Sequence, residues 1–106
     1  MVEMFGKEEN ETLEFKSSLS DLDDILATIS AFSNTKGGTI LIGVDDDGSV
    51  VGVGMGRRTL EELSNNIAQS TDPKVFPEIK VDRVWDKYII EIRVSEHRDK
   101  PVLRRM

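Results

Sequence analysis

The 106-residue chain contains no cysteine. Disulfides, thiolate zinc sites and cysteine nucleophiles are therefore excluded, and a reducing cytoplasm is the natural compartment. There is one histidine, His97; with no second histidine or paired serine motif beside it, neither a zinc site nor a catalytic triad is expected, and it reads as a surface residue. No apolar run approaches the ~20 residues of a membrane helix. Met1-Val2-Glu3-Met4-Phe5 leads into acids rather than an apolar stretch, which is not a signal peptide and implies no membrane partner. Nothing matches G-x-x-x-x-G-K-[ST], so nucleotide hydrolysis has no physical support and no cofactor is implied. Basic charge is also short: 14 lysines and arginines face 20 acids, a net charge of −6. Such a balance argues against a surface that binds nucleic acid over its whole extent.

The charge is unevenly spread. Residues 1–47 hold eleven acids against Lys7, Lys16 and Lys36, whereas residues 48–106 hold nine acids and eleven bases. Arg93, Arg98, Lys100, Arg104 and Arg105 fall within thirteen residues, either a solvated basic tail or a strip that contacts phosphates.

At this length the chain is one domain, large enough to bury a core without staples. Residues 1–10 are polar and aperiodic and read as a loose N-terminal arm; the domain spans 11–106. Thr12 to Lys16 alternate as a short strand. Ser20 and Asp23 resemble a capping box, and Leu22, Ile25, Leu26, Ile29, Phe32 and Ser33 follow at helical spacing. Thr39 to Val44 is apolar apart from Gly43, the pattern of a strand covered on both faces. Asp47-Gly48 marks a hairpin turn, with Val50 to Val53 as the return strand. Thr59 and Glu62 form a second capping box before Leu60, Leu63, Ile67 and Ala68. Ile79 to Val84 and Tyr88 to Val94 then read as a hairpin around Trp85-Asp86-Lys87. The expected architecture is α+β, in the order β-α-β-β-α-β-β, two helices packed on one mixed sheet. Its expected core is Leu13, Phe15, Ile25, Leu26, Ile29, Phe32, Ile40, Ile42, Leu63, Ile67, Ile90 and Ile92.

The stretch Ser30-Ala31-Phe32-Ser33-Asn34-Thr35-Lys36-Gly37-Gly38-Thr39-Ile40-Leu41-Ile42-Gly43-Val44-Asp45-Asp46-Asp47-Gly48 is preceded by Glu11-Thr12-Leu13-Glu14-Phe15-Lys16 and followed by Val50-Val51-Gly52-Val53. From about Glu9 to Pro101 the chain resembles the Schlafen AlbA-type domain, formerly called a divergent AAA domain. Its signature positions here are Glu14, Phe15, Lys16, Ser33, Asn34, Gly37, Gly38, Gly43, Asp45, Gly48 and Gly52. The resemblance implies an Alba-like fold and a DNA-binding module, forming the N-terminal part of a longer transcriptional-regulator-like or helicase-related protein.

Several constellations bear on function. Gly37-Gly38 lies at a helix C-terminus, whose negative dipole end repels phosphate, so its expected role is structural: Gly37 as a left-handed cap, with Asn34 satisfying helix-end carbonyls. Gly52-Val53-Gly54-Met55-Gly56-Arg57-Arg58-Thr59 brings three glycines and two arginines to a helix N-terminus, an arrangement suited to an anion or to nucleic-acid backbone. Asp45-Asp46-Asp47 does not fit the EF-hand spacing, and no metal is expected there on pattern alone. Trp85 reads as a cap over the sheet or a base-stacking platform.

Three readings of function follow. The leading one is backbone-directed binding of nucleic acid, DNA rather than RNA, through Arg57, Arg58, Lys74, Arg93, Arg98 and Lys100. A second is an interaction domain pairing with itself as a homodimer, or with another protein, through sheet edges and helix faces. A third comes from the resemblance: some Schlafen proteins are metal-dependent endoribonucleases, and Glu9, Glu14 and Asp45 stand where their carboxylates would.

Overall fold

The computed structural model describes residues 9–105. The first eight residues of the expected N-terminal arm, and Met106, lie outside the described residues. Six strands and two α-helices follow in the order β1 (Leu13–Lys16), α1 (Leu22–Ser33), β2 (Gly38–Ile42), α2 (Thr59–Ser70), β3 (Thr71–Asp72), β4 (Glu78–Val84), β5 (Lys87–Val94) and β6 (Leu103–Arg104). The main sheet is mixed, with strand order β1-β2-β5-β4. β1 runs parallel to β2, as the intervening α1 crossover demands, while β2–β5 and β4–β5 are antiparallel. The expected α+β order is present, with the return strand after Asp47-Gly48 reduced to a bridge between Val44 and Val50. A second, two-stranded sheet joins β3 to β6.

Alternation in the central strands feeds two cores. Ile40, Ile42, Ile90, Ile92 and Val94 point to one face and pack under Ile25, Leu26, Ile29 and Phe32 of α1 and Leu63 and Ile67 of α2. Leu41 and Ile89 point to the other and join Phe15, Val44 and Val50 in a smaller cluster. Gly43, at φ +101°, breaks the pleat after Ile42, and Val44 joins the Leu41 cluster. Each fully buried isoleucine contributes on the order of 2 kcal/mol of transfer free energy. Every residue of the expected core is buried except Leu13, which is partly buried against the smaller cluster.

The helix starts differ from the capping-box expectation. Ser18, not Ser20, supplies the cap: its Oγ accepts from the Ser20 N–H at 3.0 Å and opens a 3-10 turn over Leu19–Asp21 that runs into α1. At α2, Arg58 occupies the cap without a side-chain bond, and Thr59 Oγ1 reaches back to accept from Gly56 N–H at 2.8 Å. That bond ties the glycine-rich loop to the helix instead of satisfying the helix's own amides.

The end of α1 carries the densest set of specific contacts. Thr35 Oγ1 donates to the Ala31 carbonyl at 3.0 Å, doing the work expected of Asn34. Asn34 instead grips a distant segment: its Nδ2 donates to the Val102 carbonyl at 3.0 Å and its Oδ1 accepts from the Val102 N–H at 2.6 Å. Ser30 Oγ also donates to the Val102 carbonyl, at 2.8 Å. Ser33, fully buried, donates to the Ile29 carbonyl at 2.8 Å, and its own carbonyl accepts from His97 N–H at 2.8 Å. Residues 97–102 are thereby pinned to α1. The α1 cap is Asn34, and the left-handed glycine comes three residues later: Gly37, at φ +81°, donates to the Phe32 carbonyl at 2.9 Å.

Candidate nucleic-acid interface

The pinned segment contributes to one wall of a groove of about 730 Å³, between residues 95–99 and the loop entering β4. Its lining includes Phe76, Pro77, Glu78, Arg93, His97, Arg98 and Asp99. Arg93 lies on the exposed side of β5, directly across from Glu78. Arg98 is exposed and makes no ion pair among the described residues. Phe76 is 74% exposed although apolar. His97 is fixed by the helix: its backbone N–H meets Ser33, and its Nδ1 accepts from Asp99 N–H at 3.0 Å.

The six basic residues singled out from sequence fall into two groups. Arg93 and Arg98 line the groove, and Lys100 sits beside it, paired with Glu96. Lys74 lies just after α2, near the Val75-Phe76 rim, with its Nζ 3.4 Å from the Ala68 carbonyl. Arg57 and Arg58 stand at the other end of α2, whose twelve residues span about 17 Å at 1.5 Å per residue. Arg58 is also paired with Glu61 at 3.5 Å. Arg93, Arg98 and Lys100, clustered in the sequence, thus stand at or beside one groove, whereas Arg57 and Arg58 lie at the opposite end of α2 from Lys74. Phe76, missed from the sequence, had a signal: an aromatic in a Pro-flanked loop with no periodic partner.

Electrostatically the groove is close to balanced. Arg93 is paired with Glu91 at 3.5 Å, Lys80 with Glu78 at 3.3 Å, and Lys100 with Glu96. Exposed pairs of this kind are weak, of order 0–1 kcal/mol, so a phosphate can compete for the same guanidinium. A groove this neutral offers few phosphate contacts, so counterion release there is small.

The carboxylates are arranged differently from the expected set. Glu9 is held near Asp46 and Glu14 and against the Phe15 backbone. Desolvation is the main cause of its pKa being raised above the usual carboxylate range; the negative charges of Asp46 and Glu14 add to it. Glu14 itself is 3.7 Å from Lys16. Asp45 is engaged by its backbone in the turn, donating to the Ser49 carbonyl and accepting from Gly48 N–H. Among the described residues no group of three or more histidine or acidic side chains is placed to hold a metal ion. Asp47 Oδ1 accepts from Ser49 N–H at 2.8 Å, and this bonding lowers its pKa below the usual range.

No described helix is long and apolar enough to cross a membrane. No curated protein matches the sequence significantly. A family model described as Schlafen, AlbA_2 matches residues 9–105. Among solved structures, the N-terminal domain of a RecG-related protein from Nitrosomonas europaea, named for its relation to an ATP-dependent DNA helicase, is 26% identical, with a TM-score of 0.78 over 94% of this chain and 74% of that one. The DIP2311 protein of Corynebacterium diphtheriae shares the fold at 19% identity and a TM-score of 0.71; 87% of this chain is matched, spanning about a fifth (19%) of that one.

Proposed function

The chain belongs to the Schlafen AlbA_2 family, and from that membership we propose that it is a nucleic-acid-binding module, for DNA rather than RNA, that serves as part of a longer regulator-like or helicase-related protein. The observation that carries this reading is the groove lined by Arg93 and Arg98. The structural neighbour named for a DNA helicase supports the preference for DNA. Mechanically, the arginines contact phosphates, Lys74 and Lys100 flank them, and Arg57 and Arg58 offer a second, distant contact for a ligand that follows α2. Ser33 and Asn34 act indirectly, by holding the 97–102 segment that forms the groove wall.

Fluorescence anisotropy of labelled duplex DNA at low salt tests the reading. With only two or three phosphates neutralised, log K should fall against log salt with a slope of about −2 to −3. Arg98→Glu should weaken binding of every sequence alike, and RNA of the same sequence should compete poorly. The balanced charge of the groove favours one other reading, a protein-interaction domain. Absence of binding at tens of micromolar protein would leave that reading ahead.

A further inference from the structure

Strand β4 is the last strand of the main sheet, paired with β5 on one side and, among the described residues, with nothing on the other. It runs for seven residues with no proline, glycine or bulge to interrupt its backbone edge, and the charged residues that ordinarily guard such an edge are here of both signs. The two-residue turn at Trp85-Asp86 makes Val84 and Lys87 the closing hydrogen-bonded pair. Tyr88 opposes Arg83, and its carbonyl accepts from Val53 at 2.9 Å, away from β4. The free edge therefore presents the N–H and C=O groups of Ile79, Val81 and Arg83.

From this geometry we propose that β4 pairs antiparallel with β4 of a second copy, centred on Val81, to give a continuous eight-stranded sheet. Two features select that partner and that register. Glu78, Lys80 and Asp82 alternate in sign along one face. Centring on Val81 sets Lys80 of each copy opposite Asp82 of the other, whereas centring on residue 80 or 82 would oppose like charges. The same register sets Trp85 of each copy opposite Pro77 of the other, next to its Phe76. Phe76 and Trp85 are 74% and 73% exposed, the most exposed large apolar side chains described, and they bracket the edge strand at either end. Trp85 holds a left-handed φ of 60° in the turn, a conformation that a bulky residue rarely adopts. Cover from the second copy accounts for the exposure of both aromatics, while the left-handed φ is that of a two-residue hairpin turn.

Sedimentation velocity of the 106-residue chain from a few to hundreds of micromolar tests the pairing. A seven-residue edge with two aromatic contacts should give a monomer–dimer equilibrium with a dissociation constant on the order of 10 µM. Val81→Pro, which removes the central N–H, should leave a folded monomer by circular dichroism. Lys80→Asp or Asp82→Lys should each weaken the dimer by roughly tenfold or more, and the double exchange should restore it to within about threefold. Trp85 is the only tryptophan, so its emission should shift to the blue as the dimer forms, and less so in Phe76→Ala. A wild type that stays monomeric at hundreds of micromolar overturns the proposal. So does a dimer indifferent to the charge reversals, or a folded double exchange that does not recover.

Discussion

Gly37→Ala offers the sharpest test of how the end of α1 is built. An added Cβ would lie 2.5 Å from the Val94 carbonyl oxygen, 3.1 Å from Glu96 N and 3.3 Å from Ser95 Cα, all of them backbone atoms. Relief would require moving the end of β5, which is paired with Gly38 in the sheet. Overpacking of that kind costs about 1–3 kcal/mol. The residue also sits at φ +81°, which adds about 1 kcal/mol for any side chain. Together the loss should be about 2–4 kcal/mol, or a fall of roughly 10–25 °C in melting temperature for a domain of this size. Gly54→Ala is the matched control, because no atom lies within 4 Å of its added Cβ, and it should be neutral or slightly stabilising. Thermal melts by circular dichroism, at equal protein concentration, compare the two. If Gly37→Ala melts within a few degrees of Gly54→Ala, the glycine is not required by backbone geometry and the account of the turn is wrong.

Asn34→Ala removes both side-chain bonds to Val102 and leaves its N–H without that acceptor, so denaturant unfolding should show a loss of about 2–3 kcal/mol. The same variant should weaken any ligand of the groove beyond what its residual stability explains, through release of the 97–102 wall. By carbon-detected NMR titration, the Asp47 carboxyl should titrate below the ordinary aspartate range and Glu9 above the ordinary glutamate range. Their stability effects have opposite signs. The Asp47 contribution is present above its unfolded pKa and lost as pH falls through the folded one, whereas that of Glu9 is present at low pH and lost as pH rises through its raised folded pKa. Trp85→Gly should relieve the left-handed backbone and raise the monomer's stability by about 1 kcal/mol, measured by melts at low micromolar concentration.

Period and punctuation were enough to place the elements. Leu22, Ile25, Leu26, Ile29 and Phe32 repeat at 3.6 residues, Thr39 to Val44 lacks polar relief, and Asp47-Gly48 admits little but a turn; these are local properties, so the sequence carries them. It also marked Ser33, Asn34 and Gly37 as special, and gave Gly37 its left-handed conformation, without revealing what surrounds them. Their reasons are non-local: Asn34 meets Val102, 68 residues away, and Gly37 is confined by the backbone at Val94 to Glu96. Tertiary structure alone decided that Glu9 neighbours Asp46. It also set Arg57 and Arg58 at the opposite end of α2 from Lys74. Charge clusters in a chain specify composition, not convergence, because convergence depends on which face each strand presents and which segments the fold brings back over it. The free edge at β4 has the same origin: the hairpin was legible from Ile79 to Val94, but only the strand order β1-β2-β5-β4 shows which of its two strands is left without a neighbour among the described residues.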